Sequence, residues 1–291
     1  MDIVHLPVML GEILEMLNLK NEGIYVDATL GLGGHSEGIL QRAEGCTLIG
    51  IDRDEEAIGM AAERLKAYQN VRLVKDVFSN MKKAVNGLGY EKVDGIVLDA
   101  GVSTLHLRSE DRGFSFLNDA PLDMRMDRTQ AMTAEKVVNT YPEKDLADLI
   151  FRYGEERYSR RIAKAMIFSR KIKPISSCSE LAAIVEKAVG RRGKIHPATR
   201  TFQALRIEVN RELDELPAAL DAGAAILEKE GRFCVLSYHS LEDRIVKHAF
   251  KKLAKDGLFK IITKKPLVPG DEERMKNPSS RSAKLRVVEK I

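Results

Sequence analysis

The stretch Asp27-Ala-Thr-Leu-Gly31-Leu-Gly33-Gly34-His35-Ser36 decides the fold of this chain. An apolar run precedes it, and a second apolar run, Thr47–Ile51, ends directly before Asp52. Glycines in such a turn let the backbone approach a ligand, and an acid after the second strand can accept hydrogen bonds from a ribose. The pattern predicts a strand, a tight turn, a helix and a second strand around an adenosine-containing cofactor.

Short β-rich runs alternate with helical stretches over the first hundred residues. The predicted strands are Ile24–Ala28, Thr47–Ile51, Val71–Lys75 and Gly95–Asp99. The predicted helices between them are Ser36–Ala43, Asp54–Tyr68 and Asn80–Leu88. Alternation of this kind favours a parallel sheet with helices on both faces.

This alternation breaks after Asp99. A loop over 105–128, in which Asp and Ser recur beside Gly113 and Pro121, precedes three segments of helical periodicity, predicted at Glu143–Phe151, Tyr158–Arg170 and Ser179–Val189. The elements predicted after them are a long helix, a strand, a helix and two closing strands, at Arg206–Glu230, Arg232–Ser237, Leu241–Leu253, Phe259–Thr263 and Leu285–Lys290. A polar loop around Pro266–Ser282 separates the closing strands.

A fifth parallel strand followed by a β-hairpin is typical of the class I methyltransferase sheet and not of a dehydrogenase. We therefore expect an α/β protein with a Rossmann-like, mostly parallel, seven-stranded core of this class. The core is predicted over residues 1–104 and 210–291, and an inserted, mainly helical domain over 105–209. The chain shows no internal repeat.

Acids follow four successive predicted strands. They are Asp27, Asp52, Asp76 and Asp99. Ligands of open α/β sheets bind outside the carboxyl ends of the strands, so these acids should converge on one rim. The acid after the third strand could meet an adenine amino group, and Phe78 beside it could cover the adenine face or simply pack in the core. This convergence favours S-adenosylmethionine as the cofactor.

Three local signals allow more than one interpretation. The turn Gly31-x-Gly33-x-x-Ser36 lacks the third glycine of the dinucleotide fingerprint, and glycines can also serve a tight turn alone. Asp54 is a better candidate than Asp52 to cap the following helix. The segment Tyr238-His239-Ser240 follows the fifth strand, where it could contact substrate or cap the next helix through Ser240.

Charge is distributed unevenly along the 291 residues. Residues 151–211 carry 15 Lys/Arg against 5 Asp/Glu, a balance of +10, so the rest of the chain carries −6 to give the net charge of +4. A basic segment of this kind favours a polyanionic partner, most simply a nucleic acid, over a solvated helical surface that would mix the signs.

Several classes of protein are disfavoured by what the sequence lacks. No apolar run reaches the length of a membrane span, and the start has no basic leader, so we expect a cytoplasmic protein without a membrane partner. Three scattered cysteines suggest reduced thiols, and no spacing of Cys or His predicts a metal site. The absence of a Gly-x-Ser-x-Gly elbow argues against a serine nucleophile.

Motifs spread over nearly the whole chain carry a family resemblance. They are His5-x-Pro7-Val8, Asp27-Ala-Thr with Gly33-Gly-His-Ser36, Arg112-Gly-Phe-Ser-Phe116, Pro121-Leu-Asp-Met-Arg-Met-Asp127, Tyr153-Gly-Glu-Glu-Arg157, His196-Pro-Ala-Thr-Arg-Thr-Phe-Gln-Ala-Leu-Arg-Ile-Glu-Val-Asn-Arg-Glu-Leu213, His239-Ser-Leu-Glu-Asp-Arg244 and Ser280-Arg-Ser-Ala-Lys-Leu-Arg286. With these motifs the chain resembles the ribosomal RNA small subunit methyltransferase H family. The resemblance implies transfer of a methyl group from S-adenosylmethionine to N4 of a P-site cytidine in 16S rRNA of the small ribosomal subunit.

The resemblance also implies a set of site residues. Cofactor contacts are expected from Gly33, Gly34, His35, Asp52, Phe78, Asp99 and His106. His106 stands where the family more often has Gln, and Ala100 where it usually has Leu, but a histidine can still donate one hydrogen bond. Asp99, or a neighbouring backbone carbonyl, is the expected acceptor that polarises the amine, and the basic insert is the expected grip on RNA phosphates.

Two alternatives stay open at the level of sequence. One is a methyltransferase of the same fold with a different RNA, DNA or protein target, which the changes at Ala100 and His106 motivate. The other is a ribosome assembly factor that keeps the fold without catalysis, against which the four rim acids argue. The oligomeric state, monomer or homodimer, is not determined by the sequence.

Overall fold

The computed structural model describes residues 6–102, 105–106, 109–116, 119–190, 193 and 195–291. The chain divides into two compact units, one made of Met1–Gly101 with Leu213–Ile291 and the other of Val102–Glu212. His5 of the first motif and the predicted domain boundary at Thr104 lie outside the described residues. No helix in the described part of the chain is long and apolar enough to cross a bilayer.

A seven-stranded sheet organises the first unit. Its strands are β1 Ile24–Asp27, β2 Thr47–Asp52, β3 Val71–Lys75, β4 Val93–Asp99, β5 Leu227–Ser237, β6 Phe259–Ile261 and β7 Lys284–Lys290. Their order is β3-β2-β1-β4-β5-β7-β6. Strand β7 pairs antiparallel with β5 and β6, whereas the pairs among β1 to β5 are parallel. The predicted class I, Rossmann-like topology with its closing hairpin is confirmed.

Helices surround this sheet and build the second unit. In chain order they are α1 Leu10–Met16, α2 Gly34–Arg42, α3 Glu55–Leu65, α4 Met81–Gly87, α5 Ala134–Thr140, α6 Glu143–Gly154, α7 Ser159–Ile172, α8 Cys178–Val189, α9 Thr199–Asn210, α10 Glu212–Ile226, α11 Ser240–Lys255 and α12 Asp271–Lys276. Short 3-10 turns lie at Phe78–Asn80 and Pro278–Ser282.

Both faces of the sheet are buried, as parallel strands require. Successive side chains of a strand point to opposite faces. Accordingly Val26, Ile49 and Ile96 belong to one apolar cluster, and their strand neighbours Tyr25, Leu48 and Val97 belong to another. The sheet therefore holds the carboxyl ends of its strands on a rigid, doubly covered support.

The predicted long helix over Arg206–Glu230 is wrong. Helix α9 ends at Asn210, Arg211 adopts a left-handed φ of 54°, and α10 ends at Ile226, directly before β5. The Arg206 guanidinium donates to both carboxylate oxygens of Glu212 across this break, at 2.9 and 2.8 Å. A single left-handed residue without Gly or Pro leaves no signal in the apolar periodicity.

Close backbone contacts within the second unit explain two glycines of the family motifs. Gly113 has a φ of 71°, and a Cβ there would lie 2.2 Å from the Pro121 carbonyl oxygen. Gly154 ends α6, and a Cβ there would lie 2.5 Å from the Arg200 carbonyl oxygen on α9. Any side chain at either position must push backbone apart.

Gly154→Ala is expected to lower the free energy of unfolding by about 2 kcal/mol, because overpacking a fixed backbone contact costs roughly 1–3 kcal/mol. Urea unfolding followed by circular dichroism measures this change. Gly59→Ala is the matched control, since Gly59 lies within α3 and a Cβ there meets nothing within 4 Å. That substitution should be neutral or stabilising by up to about 1 kcal/mol. Equal stability of Gly154→Ala and wild type would contradict the contact.

Candidate active site

The turn after β1 is shaped by its own backbone. Gly31 and Gly33 have φ angles of 49° and 75°, a left-handed conformation that favours glycine. The Gly33 N–H donates to the Leu30 carbonyl at 2.8 Å, and the Gly31 N–H donates to Asp52 Oδ2 at 2.8 Å. The turn is therefore tied to the acid at the end of β2, before α2 begins at Gly34.

Ser36 lies where a dinucleotide fingerprint would have its third glycine. Its buried hydroxyl donates to Asp27 Oδ2 at 2.7 Å and so joins α2 to the end of β1. Burial raises the pKa of Asp27, while His35 and the Ser36 hydrogen bond oppose that rise. His35 is 5% exposed, and its Nε2 lies 2.9 Å from the Val8 carbonyl oxygen, to which it donates. Asp27 thus serves the geometry of the turn.

The acids after β2 and β3 are held by backbone donors. Asp52 Oδ1 accepts the N–H of Asp54 at 2.9 Å, and Asp54 caps α3, as predicted. Asp76 Oδ1 accepts the Val77 N–H at 2.8 Å. Phe78 begins the neighbouring 3-10 turn and lies half-buried against the core. These bonds fix the direction of each carboxylate at the rim.

Asp99, at the end of β4, has the most unusual surroundings of the four acids. Its N–H donates to Thr29 Oγ1 at 2.6 Å, and the Tyr238 hydroxyl donates to its carboxylate. Its Oδ1 is buried and has no hydrogen-bond partner in the described part of the chain. Burial raises the pKa of Asp99 to about 6, against the opposing effects of His35 and of the Tyr238 hydrogen bond. A buried acceptor without a donor is unusual and fits a site that a ligand completes.

Tyr238 belongs to the segment expected to contact substrate or to cap the next helix, and its hydroxyl lies beside Asp99. It follows β5, and its ring packs so near Gly101 that a Cβ there would lie 3.2 Å from Tyr238 Cδ2. Burial, together with the charge of Asp99, raises the pKa of the Tyr238 hydroxyl well above its usual value, so the hydroxyl keeps its proton and donates. The strand order of this class of sheet places β5 next to β4, so a residue directly after β5 is expected near the acid that ends β4.

The cap of α11 is His239 and not Ser240, the residue considered for capping as one of two alternatives for this segment. His239 Nδ1 accepts the Glu242 N–H at 3.4 Å, and the Glu242 carboxylate accepts the His239 N–H at 3.3 Å. The same carboxylate accepts the Tyr238 N–H at 2.8 Å, which anchors Tyr238 beside Asp99. Histidine is not among the preferred capping residues, which is why the sequence pointed to the serine.

Most of the predicted cofactor residues lie at the carboxyl ends of four adjacent strands. Phe78 follows β3, and Asp52 ends β2. The turn after β1 leads to Gly33, Gly34 and His35, and Asp99 ends β4, the next strand of the sheet. His106 belongs to the second unit, where its buried ring stacks on Phe114 with 4.9 Å between centroids. Contact with the cofactor stays a prediction for all seven residues.

The first-unit residues fit an adenosine cofactor. Asp52 is fixed beside the glycine turn, where a ribose-binding acid belongs, and Asp99 ends β4 on the same rim. A sheet of this order with its antiparallel closing strand, a glycine turn after β1 and acids after the next strands define a class I, S-adenosylmethionine-dependent methyltransferase. The model of the MraW methylase family matches residues 2–291, and the chain belongs to that family.

Similar proteins agree with this assignment. Ribosomal RNA small subunit methyltransferase H of Carboxydothermus hydrogenoformans is 48% identical over 100% of this chain and 99% of its own length. The protein of the same name from Caldicellulosiruptor bescii is 48% identical over 99% of each chain. A crystal structure of a candidate rRNA methylase from Clostridium thermocellum, 14% identical, covers 99% of this chain and 100% of its own at a TM-score of 0.50, which supports the fold alone. Membership of the methylase family confirms S-adenosylmethionine as the predicted cofactor.

Proposed function

We propose that this protein methylates N4 of a P-site cytidine, cytidine 1402, in 16S rRNA of the small ribosomal subunit. The family and the names of the similar proteins support ribosomal RNA of the small subunit as the substrate. The observation that carries the choice of an amine is Asp99 Oδ1, the buried acceptor without a partner among the described residues. An exocyclic amine is a hydrogen-bond donor of the kind that this oxygen lacks.

For methyl transfer, the protein has to orient N4 toward the methyl group and to supply a negatively charged acceptor for its proton. The N4 amine is a weak nucleophile because its lone pair is delocalised into the cytosine ring. Bound S-adenosylmethionine supplies a reactive methyl group on a positively charged sulfur. As the bond from N4 to the methyl carbon forms and the carbon–sulfur bond breaks, positive charge develops on N4. The Asp99 carboxylate accepts the N4 hydrogen bond and then its proton, while the Tyr238 hydroxyl orients that carboxylate.

Methyl transfer is expected to rise with pH and to reach half of its plateau near pH 6. The ionised form of Asp99 is the acceptor, and its pKa of about 6 makes this form scarce at lower pH. Tyr238→Phe removes a hydrogen bond that lowers this pKa, so its midpoint should move to higher pH. Initial rates between pH 5 and 8, with the same substrate for both proteins, measure the shift. A flat wild-type profile, or coincident midpoints, would contradict the role of Asp99.

A transfer assay tests the choice of substrate. Purified protein is incubated with S-adenosylmethionine labelled in its methyl group and with small subunits, bare 16S oligonucleotides or DNA. The label should appear as N4-methylcytidine in 16S rRNA. Label in another nucleoside, in DNA or in protein would favour a methyltransferase of the same fold with another target. Cofactor binding without any transfer would favour an assembly factor.

The second unit has a separate role in this proposal. We assign RNA binding to it, which corresponds to the insert predicted over 105–209. Its basic stretch over 151–211, with a balance of +10, supports this assignment because phosphate neutralisation supplies much of the affinity for RNA. The proposed substrate places the protein in the cytoplasm, with the small ribosomal subunit as its partner.

A further inference from the structure

Helix α7 carries an exposed row of cations around one aromatic ring. Four of the exposed residues of this helix form the row, namely Arg161, Lys164, Phe168 and Lys171, and we call them the α7 stripe. Their spacings of three, four and three residues place them on one face of the helix. The opposite face is buried and consists of Ser159, Ile162, Ala163 and Met166. At a rise of 1.5 Å per residue, the stripe is about 15 Å long.

Carboxylates do not neutralise the α7 stripe. From Arg157 to Ser179 the chain has seven Lys/Arg and no Asp/Glu. Within the described residues, the three stripe cations make no ion pair or side-chain hydrogen bond. Arg170 of the same helix differs, because its Nη1 donates to the Val138 carbonyl at 2.7 Å and so has a structural role. The stripe therefore presents positive charge to an external anion.

The exposed ring of Phe168, between the cations of the stripe, is the second feature that indicates a ligand. It is 69% exposed, and Ile172, one turn further, is 75% exposed. Leaving such a side chain in water forgoes roughly 1.5–3 kcal/mol of hydrophobic burial. A nucleic acid base that stacks on an aromatic ring recovers about 1–3 kcal/mol. The ring and the flanking cations match the two chemical parts of a single-stranded nucleic acid.

We propose that the α7 stripe binds a single-stranded RNA segment, with its cations on phosphates and Phe168 stacked on an unpaired base. This inference rests on the proposed rRNA substrate and names the surface that holds it. A duplex offers no free base face, so the exposed ring favours an unpaired segment. A symmetric contact with a second copy would set these cations against each other, which is unfavourable.

The chain contains no tryptophan, so one substitution creates a specific reporter. Phe168→Trp keeps an aromatic face, and base stacking should quench its fluorescence when a single-stranded RNA oligonucleotide with the 16S target sequence is added. Phe151→Trp is the matched control. Phe151 is 60% exposed on α6 of the same unit, but Asp148 and Glu155 lie on either side of it. Its fluorescence should not be quenched.

Affinity measurements complete the test with the same oligonucleotide carrying a fluorescent label. Phe168→Ala should raise the Kd about tenfold, Phe168→Trp should restore it, and Phe151→Ala should leave it within about twofold. Replacing Arg161 and Lys164 by Gln should reduce the slope of log K against log salt by about 1.4, or roughly 0.7 for each lost phosphate contact.

Three results would overturn the proposal. They are an unquenched Phe168→Trp at saturating RNA, a Phe168→Ala variant that loses affinity only for intact small subunits, and a dimer of the wild type that Phe168→Ala dissociates. The second result would assign the stripe to a ribosomal protein, and the third to a second copy of the chain. Quenching together with absent cytidine methylation would refute the proposed function but support RNA binding by the α7 stripe. Normal methylation without quenching would support the proposed function and refute RNA binding by the α7 stripe.

Discussion

Asp99→Asn should lower the rate constant of methyl transfer by a factor of about 10²–10⁴, the usual contribution of a positioned proton acceptor. The amide that replaces the carboxylate can still accept a hydrogen bond from the Tyr238 hydroxyl, but it cannot take a proton from N4. Affinity for S-adenosylmethionine should change much less than the rate constant. Single-turnover rates and calorimetry of cofactor binding, measured on the same preparation, separate the two effects.

The same substitution should make the folded protein more stable at neutral pH. The folded pKa of Asp99, about 6, lies above its ordinary value of 3.8. Protonation of Asp99 stabilises the folded state; this contribution is fully present below about pH 4 and is lost as the pH rises through 6. Ionisation therefore costs the wild type up to about 3 kcal/mol at pH 7. Because the amide brings its own buried N–H, a net gain of roughly 1–2 kcal/mol is expected for Asp99→Asn.

Asp94→Asn is the matched control, since Asp94 lies near the amino end of the same strand. Its Oδ2 accepts the Ile24 N–H at 2.9 Å, a bond that an asparagine can keep. This variant should retain the wild-type rate. Thermal unfolding at pH 5 and pH 8 should show the advantage of Asp99→Asn growing with pH. An active Asp99→Asn protein, or one destabilised at both pH values, would refute the assignment.

Asp52→Ala should raise the Kd for S-adenosylmethionine by about one hundredfold. It removes the acid expected to bind the ribose, and it also leaves the Gly31 N–H without the acceptor that sets the turn. Each charge-assisted hydrogen bond contributes roughly 1.5–3 kcal/mol. Isothermal titration calorimetry measures the change directly.

Asp54→Asn provides the comparison for Asp52→Ala. Asp54 neighbours the site but serves as the cap of α3, where asparagine is an equally good residue. Its cofactor affinity should equal that of the wild type. Equal binding by Asp52→Ala would favour an assembly factor that keeps only the fold.

The fold and the rim of acids could be predicted from the sequence, because both depend on local patterns. Alternating strands and helices imply a parallel sheet, and acids after successive strands must then meet at one edge. The pairing of Asp99 with Tyr238 could not be predicted in this way. It depends on β5 lying next to β4 across more than a hundred intervening residues.

Local exceptions account for the errors. Arg211 breaks a helix through one left-handed residue, and His239 caps α11 although histidine rarely has that role. The family motifs identified residues whose purpose only the structure explains. Asn210, 1% exposed, donates to the Met124 carbonyl at 2.8 Å and accepts the Met126 N–H at 2.9 Å, which holds a loop of its own unit.

The most direct test of the central claim is the nucleoside content of 16S rRNA from cells that lack the gene. Mass spectrometry of the rRNA fragment around the P-site cytidine compares these cells with cells complemented by wild-type or Asp99→Asn protein. We expect N4-methylcytidine only in the wild-type complement, with unmodified N4 in the other two. An unchanged level of N4-methylcytidine in cells without the gene would contradict the account.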